Sequence, residues 1–376
     1  MIRRCRPVVK QKALVKIAKA TTDYEAWLGK HVILLPADLR RKHAAMSEGV
    51  FPFLRATFYR WMQVWPEVCA AENKAPRVLA VGDLHVENFG TWRDVEGRLV
   101  WGINDFDEVY PLPYTIDLVR LAASAHIAIR DARLKIAARD ACDAILVGYQ
   151  KSLKAGGRPI VLAEEHDWLR SMVTGVLRDP VQYWAKLDAL PAWKGRVPKS
   201  ARRAVERLLP ESELEYRIVH RIAGLGSLGR ERYVAIAVYR GAKVAREAKA
   251  LAPSACVWAA AGKASERIHY QEALDHSIRA IDPFVHLKGR WIVRRLAPDC
   301  SRIELSHMPK ERDVSRLLQA MGFETANVHL GTPRATQAIR RDLRKRSSHW
   351  LHDAAAAMVK ATTADWQEWS SRGRNR

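Results

Sequence analysis

Two short segments carry residue types suited to moving a phosphoryl group. In residues 82–90 (GDLHVENFG), Asp83 and Asn88 stand five apart. That spacing sets a carboxylate against an acceptor hydroxyl while an amide oxygen five residues on binds a metal ion. The second segment, INDFDE, places Asp105 at the end of an apolar run, with Asp107 and Glu108 behind it as further ligands or acceptors. A triphosphate-bound Mg²⁺ prefers oxygen ligands and keeps several waters, so a carboxylate at a strand end beside the first loop suits it. Either segment alone is weak, because D-x-x-x-x-N recurs by chance and paired acidic residues commonly cap turns. Following consecutive apolar runs, and 105 − 83 = 22 residues apart, they reinforce one another.

A third segment is GLGSLG, with Gly224, Gly226, Ser227 and Gly229 between two alternating apolar runs. Strand, G-x-G-x-x-G, strand is the arrangement of a hairpin tip that covers phosphates, whereas a dinucleotide fold needs a helix after the third glycine. The alternation in RERYVAIAV decides for the strand. Lys249, one strand further on, is placed to grip nucleotide phosphates, and the helix expected next offers Glu266 or Glu272 to pair with it. Six residues apart, those two glutamates face different ways on a helix, and Glu266 is the favoured partner.

These residues need scaffolding, and the periodicity predicts it. Residues 24–39 and 51–68 space apolar side chains as helices do, 77–81 and 98–103 read as a strand hairpin, and 114–149 read as a long buried helix. Helices continue over 158–210, with Asp179 and Pro180 in cap-then-proline order. Residues 216–222, 232–238 and 244–251 then read as three successive antiparallel strands, 258–279 as a helix, 289–296 as a strand, and everything from 314 as helix until a disordered end, SSRGRNR.

Composition bounds the rest. With 63 Lys plus Arg against 41 Asp plus Glu, the 376-residue chain carries +22, which favours polyanionic partners without choosing among them. Nucleic acid is admitted through the basic surface, but no paired zinc ligands or aromatic RNP-type strand give it specificity. No run approaches the ~18 apolar residues of a bilayer span, so no membrane span and a soluble, cytoplasmic protein are expected. The five scattered cysteines form no C-x-x-C and predict buried thiols. Arg55 is a further residue able to reach the site, while His329 lacks metal-ligand spacing and reads as structural.

The stretch around Asp83 and Asp105 resembles the catalytic core of aminoglycoside and choline phosphotransferases, whose loop has the form H-G-D-x-H-x-x-N. His85 matches the second histidine of that loop, Val81 replaces the first, and Asp117 in TIDLVRLA resembles a structural aspartate that starts a helix. Over residues 45–335 the chain resembles more closely a bacterial family catalogued as domain of unknown function 2252. The marks of that family fall on residues 53–55, 82–90, 104–108 and 224–229 with Lys249.

The glycine segment and Lys249 follow the Asp83 loop, the reverse of kinase order. The expected fold is therefore α+β, a protein-kinase-like two-lobed fold, circularly permuted. A helical lobe over 1–210 carries the catalytic loop and metal motif, a small antiparallel β lobe over 211–297 binds nucleotide, and 298–376 returns to the helical lobe with a basic tail. Such rewiring is tolerated because termini lie at surfaces, often close together. The function expected is an ATP- and Mg²⁺-dependent phosphotransferase acting on a hydroxyl of an unidentified small molecule or protein. Asp83 would orient or deprotonate the acceptor, and Asn88, Asp105 and Asp107 would hold the metal. Gly224, Gly226, Ser227, Gly229, Lys249 and Glu266 would serve the nucleotide. A nucleotide-binding module without catalysis, and transfer of AMP on the same fold, are the competing readings.

Overall fold

The structure is a computed structural model, and it describes residues 15–162, 166–176, 179–300 and 311–373. It is an α+β arrangement in which small antiparallel sheets are embedded among helices. The chain opens with α1 (Ile17–Leu28), α2 (Pro36–Glu48), α3 (Val50–Ala56) and α4 (Phe58–Val68). Each of the two helices expected here is thus split. Gly29 ends the first, Pro36 starts α2 at the position where its missing N–H costs nothing, and Thr57 separates α3 from α4.

Four short strands follow: β1 (Arg77–Ala80), β2 (Phe89–Arg93), β3 (Leu99–Ile103) and β4 (Tyr110–Pro113). The expected pairing of the first apolar run with residues 98–103 does not form. Instead β1 pairs with β4, Val78 opposite Leu112, and β2 pairs with β3, Phe89 opposite Ile103. The reason lies in two strands the residue pattern hides. FGTWR adjoins the polar loop, and YPLP carries two prolines that only the edge of a ladder tolerates. The consequence is functional: the Asp83 loop joins β1 to β2, the Asp105 segment joins β3 to β4, and the two ladders bring the loops side by side.

The buried α5 (Thr115–Asp131) and α6 (Ala138–Ala155) replace the single helix expected over 114–149. The two-residue β5 (Ile160–Val161) adds to β3, and α7 (Asp167–Val176), α8 (Pro180–Asp188) and α9 (Lys199–Glu206) follow. Asp179 caps α8 by accepting from the Gln182 amide at 2.8 Å, in agreement with the Asp-Pro signal.

A five-stranded antiparallel sheet comes next, in the order β6-β7-β8-β10-β9. Its strands are β6 (Tyr216–Val219), β7 (Arg232–Tyr239), β8 (Ala242–Ala250), β9 (His286–Lys288) and β10 (Trp291–Leu296), close to the four strands expected from alternation. The helix expected over 258–279 is reduced to α10 (Ala255–Ala259) and α11 (Tyr270–His276), with irregular chain between them. Finally α12 (Glu311–His329), α13 (Thr336–Lys345) and α14 (Trp350–Gly373) close the fold. Ser370 to Gly373, expected to be disordered, belong to α14, while 374–376 lie outside the described residues.

Most of the apolar core is one cluster that runs from α1 through α5 and α6 to α12 and α14. Its tightest seam is α6 on α12. A β-carbon on Gly148 would overlap the Gln319 carbonyl, and one on Gly322 would overlap the Ile145 carbonyl, both far inside van der Waals contact. Both obstacles are backbone, which cannot rotate away. Gly322→Ala is therefore expected to cost roughly 1–3 kcal/mol or more in a denaturant titration. Gly49→Ala, whose β-carbon meets nothing nearer than Pro52 at 3.6 Å, serves as control and should stay within about 0.5 kcal/mol.

Candidate active site

The Asp83 loop is shaped by its backbone. Gly82 turns the chain at φ +83°, and a β-carbon there would meet the Glu108 carbonyl at 2.5 Å, so glycine is required on both counts. The loop is then hung from Asp117 in the first turn of α5, whose carboxylate accepts from the Val81 and Gly82 amides at 2.7 and 2.8 Å. His329 lies 2.9 Å from the same carboxylate, and Tyr149 lies 2.8 Å from the far ring nitrogen of His329. Both Asp117 and His329 are fully buried, so both are structural as the sequence indicated, and what they hold is the loop. Asn88 closes the turn by donating to the Asp83 carbonyl at 2.9 Å.

Asp83 itself is gripped by Arg120, a residue the sequence reading missed. Arg120 Nε donates to Asp83 Oδ1 at 2.8 Å, a second guanidinium nitrogen donates to the same oxygen, and that nitrogen also reaches the Leu54 carbonyl at 2.8 Å. The guanidinium lies over Phe58 and Trp61, 5.0 and 4.8 Å from their ring centres, and is wholly buried. One carboxylate oxygen is thereby fixed. The other, Oδ2, lies where a β-carbon on Gly226 would meet it at 3.2 Å. Burial pushes the Asp83 carboxyl up to about 7 despite the pull of Arg120, with Glu108 and Asp105 adding to the rise.

A narrow cleft of about 40 Å³, partly open to solvent, gathers the predicted residues. Asp83, Asn88, Asp105, Asp107, Gly224, Gly226 and Ser227 all line it, together with Arg55, Lys42 and Arg230. Lys249, on β8, reaches the Asp105 segment from the large sheet, its Nζ 2.6 Å from Asp107 and 3.6 Å from Asp105. Burial and the neighbouring Asp105 raise the Asp107 carboxyl, and Lys249 and Arg230 pull it back. Arg230 spans the same carboxylates, 3.1 Å from Glu108 and 3.7 Å from Asp107. Glu108 also accepts from the Ala255 amide at 2.7 Å and from Ser254 at 3.0 Å, so its role is to tie α10 to the Asp105 segment.

Two predicted nucleotide residues lie elsewhere. Glu266 is exposed on irregular chain, and Glu272 pairs with His269 and Arg267, so Lys249 takes its partners from the Asp105 segment and from neither glutamate. The physical reason is the broken helix: residues 260–269 do not wind, and no helical face carries Glu266 to the lysine. Gly229 packs on α2, where a β-carbon would meet Leu39 at 2.5 Å, and its carbonyl accepts from Leu35 at 2.8 Å.

That last contact belongs to a set. His220, before the glycines, lies 2.7 Å from Asp38, Lys42 donates to the Gly226 carbonyl at 3.0 Å, and Leu34 bridges to Arg230. The glycine segment is thus stitched along α2 from both ends. Asp38 and Lys42, one helical turn apart, are both buried beneath this segment, and the sequence reading missed them because charges on α2 read as a solvated face.

The donor set suits a hard divalent cation. Asp105, Asp107 and the Asn88 amide share one cleft, and the buried Asp107 carboxylate is met by the Lys249 ammonium at 2.6 Å and by no other close donor among the described residues. Among the described residues no three His, Cys, Asp or Glu side chains cluster as a ready cage. Mg²⁺ needs none, since it is held by one or two carboxylates and completed by phosphates and water. Cys69, Cys142, Cys256 and Cys300 are unpaired thiols, Cys5 lies outside the described residues, and no described helix is long and apolar enough to cross a membrane.

No curated protein and no solved structure matches this chain. Residues 34–182, which hold α2, the Asp83 loop and the Asp105 segment but neither the glycine segment nor Lys249, match the family described as an uncharacterized protein conserved in bacteria (DUF2252).

Proposed function

We propose that this protein is an ATP- and Mg²⁺-dependent phosphotransferase with a hydroxyl compound as acceptor, built on a circularly permuted, kinase-like two-lobed plan. The observation that carries the reading is convergence: Lys249, 249 − 105 = 144 residues from Asp105, reaches that carboxylate, and the glycine segment reaches Asp83. In this reading the acceptor oxygen attacks the γ-phosphorus and the bond to the bridging oxygen of departing ADP breaks. Asp83, fixed through one oxygen by Arg120, takes the hydroxyl proton on the other. Lys249, poised between two carboxylates, is the cation for the nucleotide phosphates. Asp105, Asp107 and Asn88 would hold Mg²⁺, which supplies charge neutralisation on the transferring group.

The test is binding followed by turnover. A ligand at 100 times its Kd that binds only the folded chain stabilises it by about 2.7 kcal/mol, so saturating ATP with Mg²⁺ should raise the melting temperature. Asp105→Asn should remove most of the Mg²⁺-dependent part of that rise. Absence of both a shift and calorimetric heat overturns the reading. Mass spectrometry of the product separates phosphoryl from adenylyl transfer by the mass added.

A further inference from the structure

The carboxylates of the cleft are already matched to cations. Glu87 lies 2.6 Å from Arg55, Glu108 3.1 Å from Arg230, Asp83 is bound by Arg120, and Asp105 and Asp107 face Lys249. Lys42 is the exception. It is buried in the cleft wall, no carboxylate lies within ion-pair distance of its Nζ among the described residues, and it donates to the Gly226 carbonyl at 3.0 Å. Burial, together with Arg230, pulls its ammonium down to about 8. A buried ammonium held by one neutral carbonyl is costly, and it becomes favourable when an anion completes it.

The neighbouring guanidiniums also have donors to spare. Arg55 Nε, and both Nε and Nη1 of Arg230, are buried without a hydrogen-bond partner, and the Arg230 side chain is only 3% exposed. All three cations line the cleft that Asp83 lines. Gly226 borders the same cleft: its carbonyl accepts from Lys42, and a β-carbon on it would meet the Arg55 backbone carbonyl at 3.1 Å and Asp83 Oδ2 at 3.2 Å.

We propose that Lys42, Arg55 and Arg230 form an anion seat beside Asp83, in which the Gly226 carbonyl meets Lys42. The acceptor is then an alcohol that also bears a phosphate or carboxylate group. This rests on the phosphotransferase reading and narrows its substrate class, since the seat holds an anion while Asp83 addresses the hydroxyl. A cationic acceptor such as an aminoglycoside or choline finds the uncompensated Lys42 ammonium there and no free carboxylate to pair with it.

The experiment titrates inorganic phosphate into the full chain by calorimetry, alone and with a saturating non-hydrolysable ATP analogue plus Mg²⁺. Phosphate is expected to bind in both conditions, and Lys42→Met to weaken it about tenfold or more without lowering the melting temperature of the unliganded protein. Arg55→Gln, at a partly exposed site, gives the same direction should Lys42→Met not fold. Phosphate binding that the analogue abolishes would assign these cations to the donor and overturn the acceptor class. So would a Lys42→Met variant that binds phosphate as tightly as the parent. If the analogue itself fails to bind, the phosphotransferase reading falls, and the phosphate titration alone still decides the seat. With an active enzyme, glycerate and glycerol phosphate should outcompete glycerol and choline as acceptors, and the reverse order overturns the proposal.

Discussion

Replacing Asp83 by Asn is expected to lower phosphoryl transfer roughly 10²–10⁴-fold while leaving the affinity for Mg²⁺ and nucleotide within about threefold. The asymmetry follows from placement. Asp83 Oδ2 lies beside the glycine tip, whereas in the proposed reading the cation for the nucleotide and the metal ligands are Lys249, Asp105 and Asp107. An equal loss of nucleotide binding would show that Asp83 is a metal ligand instead. The parent enzyme supplies a second readout, because a base must be ionised to accept a proton. With its carboxyl pushed up to about 7, kcat/KM should rise with pH below that value and level off above it. The same shift acts on stability with the opposite sign. A folded pKa above the unfolded 3.8 contributes stability that is full below 3.8 and lost as pH rises through about 7. Activity and stability therefore trade against each other over the same interval, and Asp83→Asn should remove this pH-dependent loss of stability.

Arg120 sharpens the test. Among the described residues its guanidinium is the cation that pairs with Asp83, so Arg120→Met should move the pH inflexion upward by roughly one to three units. A merely structural arginine would change stability and leave the inflexion in place.

Much of the site was readable in the sequence because its chemistry is local. Asp83 and Asn88 sit in one nine-residue loop, and Asp105 and Asp107 in one six-residue segment, so residue type and spacing identify them. Strands β6, β7 and β8 of the large sheet were also readable, since short alternating or apolar runs are broken there by glycine turns. What was hidden depends on distant contacts. Arg120 lies on a helix apolar nearly all round, where one arginine reads as an outlier until Phe58, Trp61 and Asp83 are folded around it. Lys42 and Asp38 look like surface charges on α2, and only the glycine segment that covers them makes them buried. Glu266 failed for the converse reason. A helical pattern over 258–279 carried it toward Lys249 on paper, and the chain between α10 and α11 does not wind.

The largest effect on folding is expected at Glu247, which ties the large sheet to the site. It lies on β8 two residues before Lys249, so both side chains project from the same face of the strand. Its carboxylate is fully buried and accepts from Arg232 and Arg294 at 2.8 Å each and from Arg221 at 3.0 Å. Arg294 stands directly opposite Glu247 in the β8–β10 ladder, and Arg232 directly opposite Lys249 in the β7–β8 ladder. One anion therefore holds three guanidiniums together across three strands. Removing it by Glu247→Gln leaves those charges facing each other in a dry interior, a change expected to cost roughly 3–5 kcal/mol. Its burial opposes ionisation, yet the three arginines hold the carboxyl well below the ordinary 4.5. With a folded pKa that low, its contribution is present above pH 4.5 and lost as pH falls through the lowered value, so the parent's advantage over the variant should be full at pH 7 and smaller at pH 3. Denaturant midpoints at pH 7 and pH 3 measure both effects. If Glu247 also sets the position of Lys249, the folded fraction of the variant should bind Mg²⁺ and nucleotide more weakly, while Glu247→Asp restores part of the affinity. A variant as stable as the parent would mean that the arginines find other partners, and that the face of the sheet carrying Lys249 is organised by something other than this charge.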